Sequence, residues 1–185
     1  MTGPAPTKFL TVAEYDQLPE GPPYYQLIDG ELIMSPSPTS KHQRIVLNLA
    51  VLLTQYGKSK KSGQTYVAPL DVELPGGHIV EPDVMYISRE RAEIIKEPRI
   101  VGAPDLVVEV LSPANARLDR QRKRELYAAS GVRELWIVDP DAERLEVFRL
   151  AENAERPAAL FYREDEASSA LLPGLAFSVG GLFAE

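Results

Sequence analysis

The sequence predicts an α/β or α+β fold with a mixed central β-sheet flanked by helices. Two stretches, Lys41–Tyr56 and Leu118–Ser130, have the composition and spacing of helices. Short β-rich runs lie between and after them. No internal repeat and no long linker divides the 185 residues, so the chain is expected to form one domain spanning 1–185.

The Pro-rich segment Met1–Phe9 is expected to be loose. Thr11-Val-Ala-Glu14 is a capping-box pattern, which starts a short helix to about Leu18. Pro19 to Pro23 ends it. Asp29-Gly30 lies between apolar runs within Tyr25–Met34, a strong hairpin signal. Ile45, Val46, Leu49, Leu52, Leu53 and Tyr56 recur at three and four residues, and Gly57 suits the end of that helix. Strands are expected at Thr65–Leu74, Ile79–Ile87 and Asp105–Leu111, with a turn at Pro75-Gly76-Gly77 and a short charged helix at Ser88–Ile95. Gly131 closes the helix Leu118–Ser130. Glu134–Val138 and Arg144–Leu150 pair around Asp139-Pro140-Asp141. Strand-like pieces follow at Ala159–Tyr162 and Leu175–Val179.

The chain has no cysteine, which removes disulfides and thiolate zinc clusters. His42 and His78 alone make a structural zinc site a poor reading. There is no apolar run of about 20 residues for a membrane helix and no secretory signal, so a cytoplasmic location is expected. Glycine-rich nucleotide loops and the serine-hydrolase elbow are absent, so no nucleotide cofactor is expected. The net charge of −7 opposes casual nucleic-acid binding. It conceals two basic clusters, Lys58/Lys60/Lys61 and Arg117/Arg120/Arg122/Lys123/Arg124.

Glu109 lies inside the aliphatic strand Asp105–Leu111. Side chains alternate along a strand, so Leu106, Val108 and Val110 share one face, and Asp105, Val107, Glu109 and Leu111 the other. An unpaired buried carboxylate is costly, so Glu109 is either a partnered acid or an edge residue facing water. Asp83 stands in a second apolar run, after Pro82. Two acids on neighbouring strands can hold Mg²⁺ or Mn²⁺. Asp119, Lys123 and Tyr127 fall on one helical stripe, from which Lys123 could reach such a site. For any single Arg or Lys here, a solvated basic face competes with a functional reading.

These residues resemble a known family. Tyr25-Gln-Leu-Ile-Asp-Gly-Glu31, His42, Glu81-Pro-Asp83, Ala103 to Pro113, Lys123, Tyr127, Gly131-Val132 and Leu135-Trp-Ile-Val-Asp-Pro140 are similar to the Uma-two family of proposed endonucleases. That family belongs to the restriction-endonuclease-like, PD-(D/E)xK superfamily. The resemblance implies that Asp83 and Glu109 are the paired metal-binding acids. It implies that Glu31 is a catalytic position at the first motif. The usual lysine two residues after the second acid is Leu111 here, so Lys123 is the candidate replacement. His42 and Tyr127 would support the site, and Arg117, Arg120, Arg122 and Arg124 would follow DNA. A homodimer is also implied. The leading expectation is Mg²⁺-dependent DNA hydrolysis. A degenerate module binding DNA or a protein is the alternative, and RNA or a nucleotide is a further possible substrate.

Overall fold

Prolines cut the middle of this chain into shorter strands than its apolar runs suggest. The structure is a computed structural model that describes residues 9–184 apart from 20, 36 and 113–117. The elements begin with α1 (Val12–Tyr15), β1 (Tyr25–Ile28), β2 (Glu31–Met34) and α2 (Ser40–Lys60). Then come β3 (Gly63–Val67), β4 (Val72–Leu74), β5 (His78–Val80), β6 (Val84–Ser88), β7 (Ile100–Val101) and β8 (Leu106–Val110). After α3 (Arg124–Ser130) the strands are β9 (Glu134–Asp139), β10 (Arg144–Arg149), β11 (Ala159–Tyr162), β12 (Glu166–Ser168) and β13 (Ala176–Ser178).

The local signals act as expected at the start. The Thr11 hydroxyl accepts from the Glu14 amide at 3.3 Å, and the Glu14 carboxylate accepts from the Thr11 amide at 2.9 Å. Asp29 and Gly30 take φ of 51° and 77°, the left-handed pair that joins two twisted antiparallel strands.

Three expectations need correction. Thr65–Leu74 is two strands, β3 and β4, in different sheets. Ile79–Ile87 is likewise β5 and β6, parted at Glu81-Pro82-Asp83. Proline has no N–H to give a ladder, and Pro69 and Pro82 each stand where the chain leaves one sheet for the other. Gly57 does not end α2, which runs on to Lys60 and closes at Lys61 with φ of 53°. Gly57 instead lets the helix touch the next strand. A Cβ there would lie 2.7 Å from the Gly63 carbonyl oxygen.

Among the described residues there are two main sheets. One runs β2-β1-β5-β4-β7, and the other β11-β10-β9-β8-β6-β3. The larger is mixed, since β8 and β9 are parallel and its other pairs antiparallel. Leu106, Val108 and Val110 join Ile45, Leu49 and Leu53 of α2 in one core. Val107 and Leu111 join Met85, Ile137 and Tyr127 in a second core, with Ile28, Val72 and Val80 of the smaller sheet. The alternation read from β8 therefore divides the two cores. β8 has a strand on each side, so Glu109 is not on an edge.

Candidate functional site

The site forms at the carboxyl end of β8, where β6 begins. Val84 pairs with Val108, and this register brings Asp83, just before β6, level with Glu109. Glu109 is 2% exposed. Its neighbours on β8 are aliphatic, so its charge must be answered from another element. The segment before β9 answers it. Lys123 donates to both Glu109 carboxylate oxygens, at 3.0 and 3.1 Å, and the Tyr127 hydroxyl donates to one of them at 2.5 Å. Lys123 is 3% exposed and Tyr127 is fully buried.

The helix that carries these two is not uniform. Leu118–Lys123 is wound as a π-helix, and regular α-helix begins at Arg124. The expected Leu118–Ser130 helix is present as this composite. Wide turns of this kind recur at functional sites. Lys123 and Tyr127 stand one turn apart and meet Glu109 together. The side chain of Asp119, expected on the same stripe, lies outside the described residues, as does Arg117.

Asp83 is held from the other side. One carboxylate oxygen accepts from the Val110 amide at 2.7 Å and lies 3.3 Å from His42 Nε2. His42 Nε2 also donates to the Val110 carbonyl at 3.0 Å. His42 sits in the first turn of α2, whose N-cap Thr39 accepts from the His42 amide. Burial works to lower the His42 pKa. The hydrogen bond and charge of Asp83, the Val110 carbonyl and the charge of Glu109 outweigh it and hold the pKa above the ordinary value.

Glu81 completes the group and was not picked out as a site residue from the sequence. Burial, then the charge of Asp71, pushes its pKa up to about 7, against the pull of Ser35 and Lys123. Its carboxylate accepts from the Ser35 hydroxyl at 3.3 Å. The signal available in the sequence was only its place in Glu81-Pro82-Asp83, next to a proline that turns the chain. His42 feels Glu109 and Glu81 feels Lys123, so Glu81, Asp83, Glu109, His42 and Lys123 share one electrostatic site.

Glu31 takes another place. Arg122 donates to its carboxylate at 2.7 Å, to Asp29 at 3.1 Å and to the Ile28 carbonyl at 2.8 Å. Arg122 therefore clasps the β1–β2 hairpin beside Lys123. Arg120 is paired with Glu146 at 2.6 Å and Asp139 at 2.9 Å. Arg124 lies over the Phe148 ring and donates to the Glu155 carbonyl. Arg120, Arg122 and Arg124, three of the four arginines expected to face DNA, are thus engaged inside the chain. Two other cations flank His42. Lys41 and Arg44 are exposed, and among the described residues Lys41 makes only a 3.5 Å exposed pair with Asp141.

The donor chemistry suits a hard cation. Asp83 keeps its second oxygen without a hydrogen-bond donor among the described residues, and its side chain is 19% exposed. Glu109 would have to trade a Lys123 bond for a metal bond. No group of three or more ligating side chains is gathered as a cage among the described residues. Two carboxylates with water and phosphate oxygens are nevertheless a usual shell for Mg²⁺.

Comparisons with known proteins bear on the fold and the family of the chain. An uncharacterized protein from Synechocystis sp. is 29% identical over 149 residues, covering 78% of this chain and 83% of that protein. A crystal structure described as "a putative nuclease belonging to DUF820 from Anabaena variabilis ATCC 29413" superposes with a TM-score of 0.79 at 23% identity, covering 94% of this chain and 97% of that one. It shows that the two chains share a fold. No helix among the described residues is long and apolar enough to cross a membrane. The Uma2 family model, described as "Putative restriction endonuclease", matches residues 12–180, and the chain belongs to that family.

Proposed function

We propose that this chain is a metal-dependent endonuclease that hydrolyses phosphodiester bonds in DNA. One observation carries the reading. A buried carboxylate, Glu109, is gripped by Lys123 and Tyr127 at the same sheet end as the Asp83–His42 pair. Family membership supports the nuclease class of reaction.

Asp83 and Glu109 would hold Mg²⁺ or Mn²⁺, which supplies Lewis-acid charge and a water of lowered pKa. The chain's own residues do the rest. Lys123 releases one Glu109 oxygen and turns its charge to the phosphate as negative charge grows there. Tyr127 keeps Glu109 in place during that exchange. His42 fixes the Asp83 carboxylate through Nε2. Glu31 acts through Arg122, which sets the position of the adjoining Lys123. Lys41 and Arg44 meet the nucleic-acid backbone beside His42.

The test is plasmid cleavage with Mg²⁺ or Mn²⁺ by wild type, Asp83→Ala and Glu109→Ala. Loss of about 10²-fold or more in both variants is expected, the scale of removing a preorganised charge partner. Equal cutting by all three overturns the assignment.

A second reading is favoured by the same grip. With both Glu109 oxygens held by Lys123, the site also suits a nuclease fold that binds DNA or a protein without cutting. Calorimetric titration with Mn²⁺ separates the two. The nuclease reading requires binding that disappears in both carboxylate variants.

A further inference from the structure

Glu81 belongs to two places at once. It feels the charge of Lys123, and it also lines a cavity of about 650 Å³. The other walls are Tyr15 from α1, Tyr24 and Tyr25 at the start of β1, Asp71 before β4, and Arg99 before β7, with prolines between them. The volume lies within the range of small-ligand sites, roughly 300–1,000 Å³.

We propose that this cavity is a subsite for an unstacked nucleobase of the strand bound at Glu109 and Lys123. Its substrate class rests on the nuclease reading. The walls offer flat rings, on which any base can stack. The Tyr15 ring is fixed in advance, because its hydroxyl donates to the Tyr25 carbonyl at 2.8 Å and lies 3.2 Å from Asp71. Tyr24 is 42% exposed and forms the rim.

The polar lining rejects phosphate. Asp16, Asp71 and Glu81 face one cation, Arg99, which already pairs with Asp16 and, at 3.5 Å, with Glu73. Asp71 and Glu81 each keep a carboxylate oxygen with no donor among the described residues. Such acceptors call for N–H donors held in a flat, stackable frame. Guanine presents a ring N–H beside an amino group. Cytosine and adenine present an amino group, and thymine only a ring N–H. Guanine should therefore fit best and thymine worst.

The experiment titrates the full chain with guanosine, cytidine, adenosine and thymidine at fixed salt, by NMR and calorimetry. Guanosine is expected to bind in the millimolar range and thymidine more weakly. Tyr24→Ala should weaken guanosine about tenfold, the scale of one lost base–aromatic stack. Asp71→Asn should erase the lead of guanosine over thymidine. No nucleoside binding by a chain that still cuts DNA overturns the subsite alone. Nucleoside binding by a chain that cuts nothing supports the subsite and counts against the endonuclease reading. Trimethyllysine or an oligolysine peptide binding more tightly than guanosine, and displacing it, overturns the proposal in favour of a cationic ligand.

Discussion

Glu109 and Lys123 form a buried ion pair in which neither charge has water to fall back on. Both are at most 3% exposed. Taking away one partner strands the other, at a cost of about 3–5 kcal/mol, whereas replacing both with neutral groups of similar size costs far less. Lys123→Met should therefore lower stability by about 3–5 kcal/mol in urea unfolding, and Glu109→Gln/Lys123→Met should recover much of it. The double variant should stay inactive in cleavage, which separates a folding defect from a lost charge. Glu81 makes a different prediction, because its pKa is raised. Below its unfolded value of 4.5 both states keep the proton, and Glu81 adds no pH dependence. Between 4.5 and about 7 the unfolded chain releases the proton and the folded chain retains it. Stability is therefore lost as pH rises through that window and levels off above it. Glu81→Gln lacks this loss. Its melting temperature relative to wild type should climb from pH 4.5 to 7, and a constant difference would show that Glu81 titrates normally.

Elements meet here at points where a side chain would not fit. Gly57 of α2 faces the Gly63 carbonyl, and a Cβ on Gly63 would lie 2.3 Å from the Ile87 carbonyl oxygen and 2.6 Å from the Tyr86 ring. Gly57→Ala favours an isolated helix by about 1 kcal/mol. In this packing it should instead destabilise by about 1–3 kcal/mol, since neighbouring backbone must move. Thermal unfolding checks the sign, and a gain in stability would mean that α2 and β3 are less closely apposed. Nothing in the pattern around Gly57 announced this role, because the partner lies on another element. The features that were legible are the local ones. Thr11 and Glu14 cap their own turn, Asp29-Gly30 shapes its own hairpin, and the period of β8 assigns its two faces. Pro69 and Pro82 stand in the sequence too, but strand-forming residues on both sides of each made either segment read as one strand. Glu109 was recognisable as an acid needing a partner, and Lys123 as a candidate. The π-wound turn and the Arg122 clasp on Glu31 were not legible. That clasp joins residues 91 positions apart, and only the tertiary fold brings them together.

At the scale of the whole molecule the proposed binding of DNA has to be reconciled with a net charge of −7. Arg120, Arg122 and Arg124 are committed internally, so these three contribute little free charge. Lys58, Lys60 and Lys61 are exposed at the far end of α2. At 1.5 Å per residue they lie roughly 24–29 Å along the helix from His42. The exposed stripe between the two ends carries Leu47 and Val51, 55% and 46% exposed, and apolar groups give a phosphate backbone nothing to hold. The binding track should therefore stay near His42, with Lys41 and Arg44 as its main contacts. Each neutralised phosphate contributes about −0.9 to the slope of log affinity against log salt for a duplex. Two contacts predict a slope of about −2, against about −4.5 if the three lysines also took part. Fluorescence anisotropy with a labelled duplex in chelator, which stops metal-dependent cutting, measures this directly. Neutralising Lys41 and Arg44 as glutamines should nearly abolish the salt dependence, and neutralising Lys58, Lys60 and Lys61 should leave it unchanged. The opposite result would move the DNA track onto the length of α2 and make its exposed leucine and valine part of the interface.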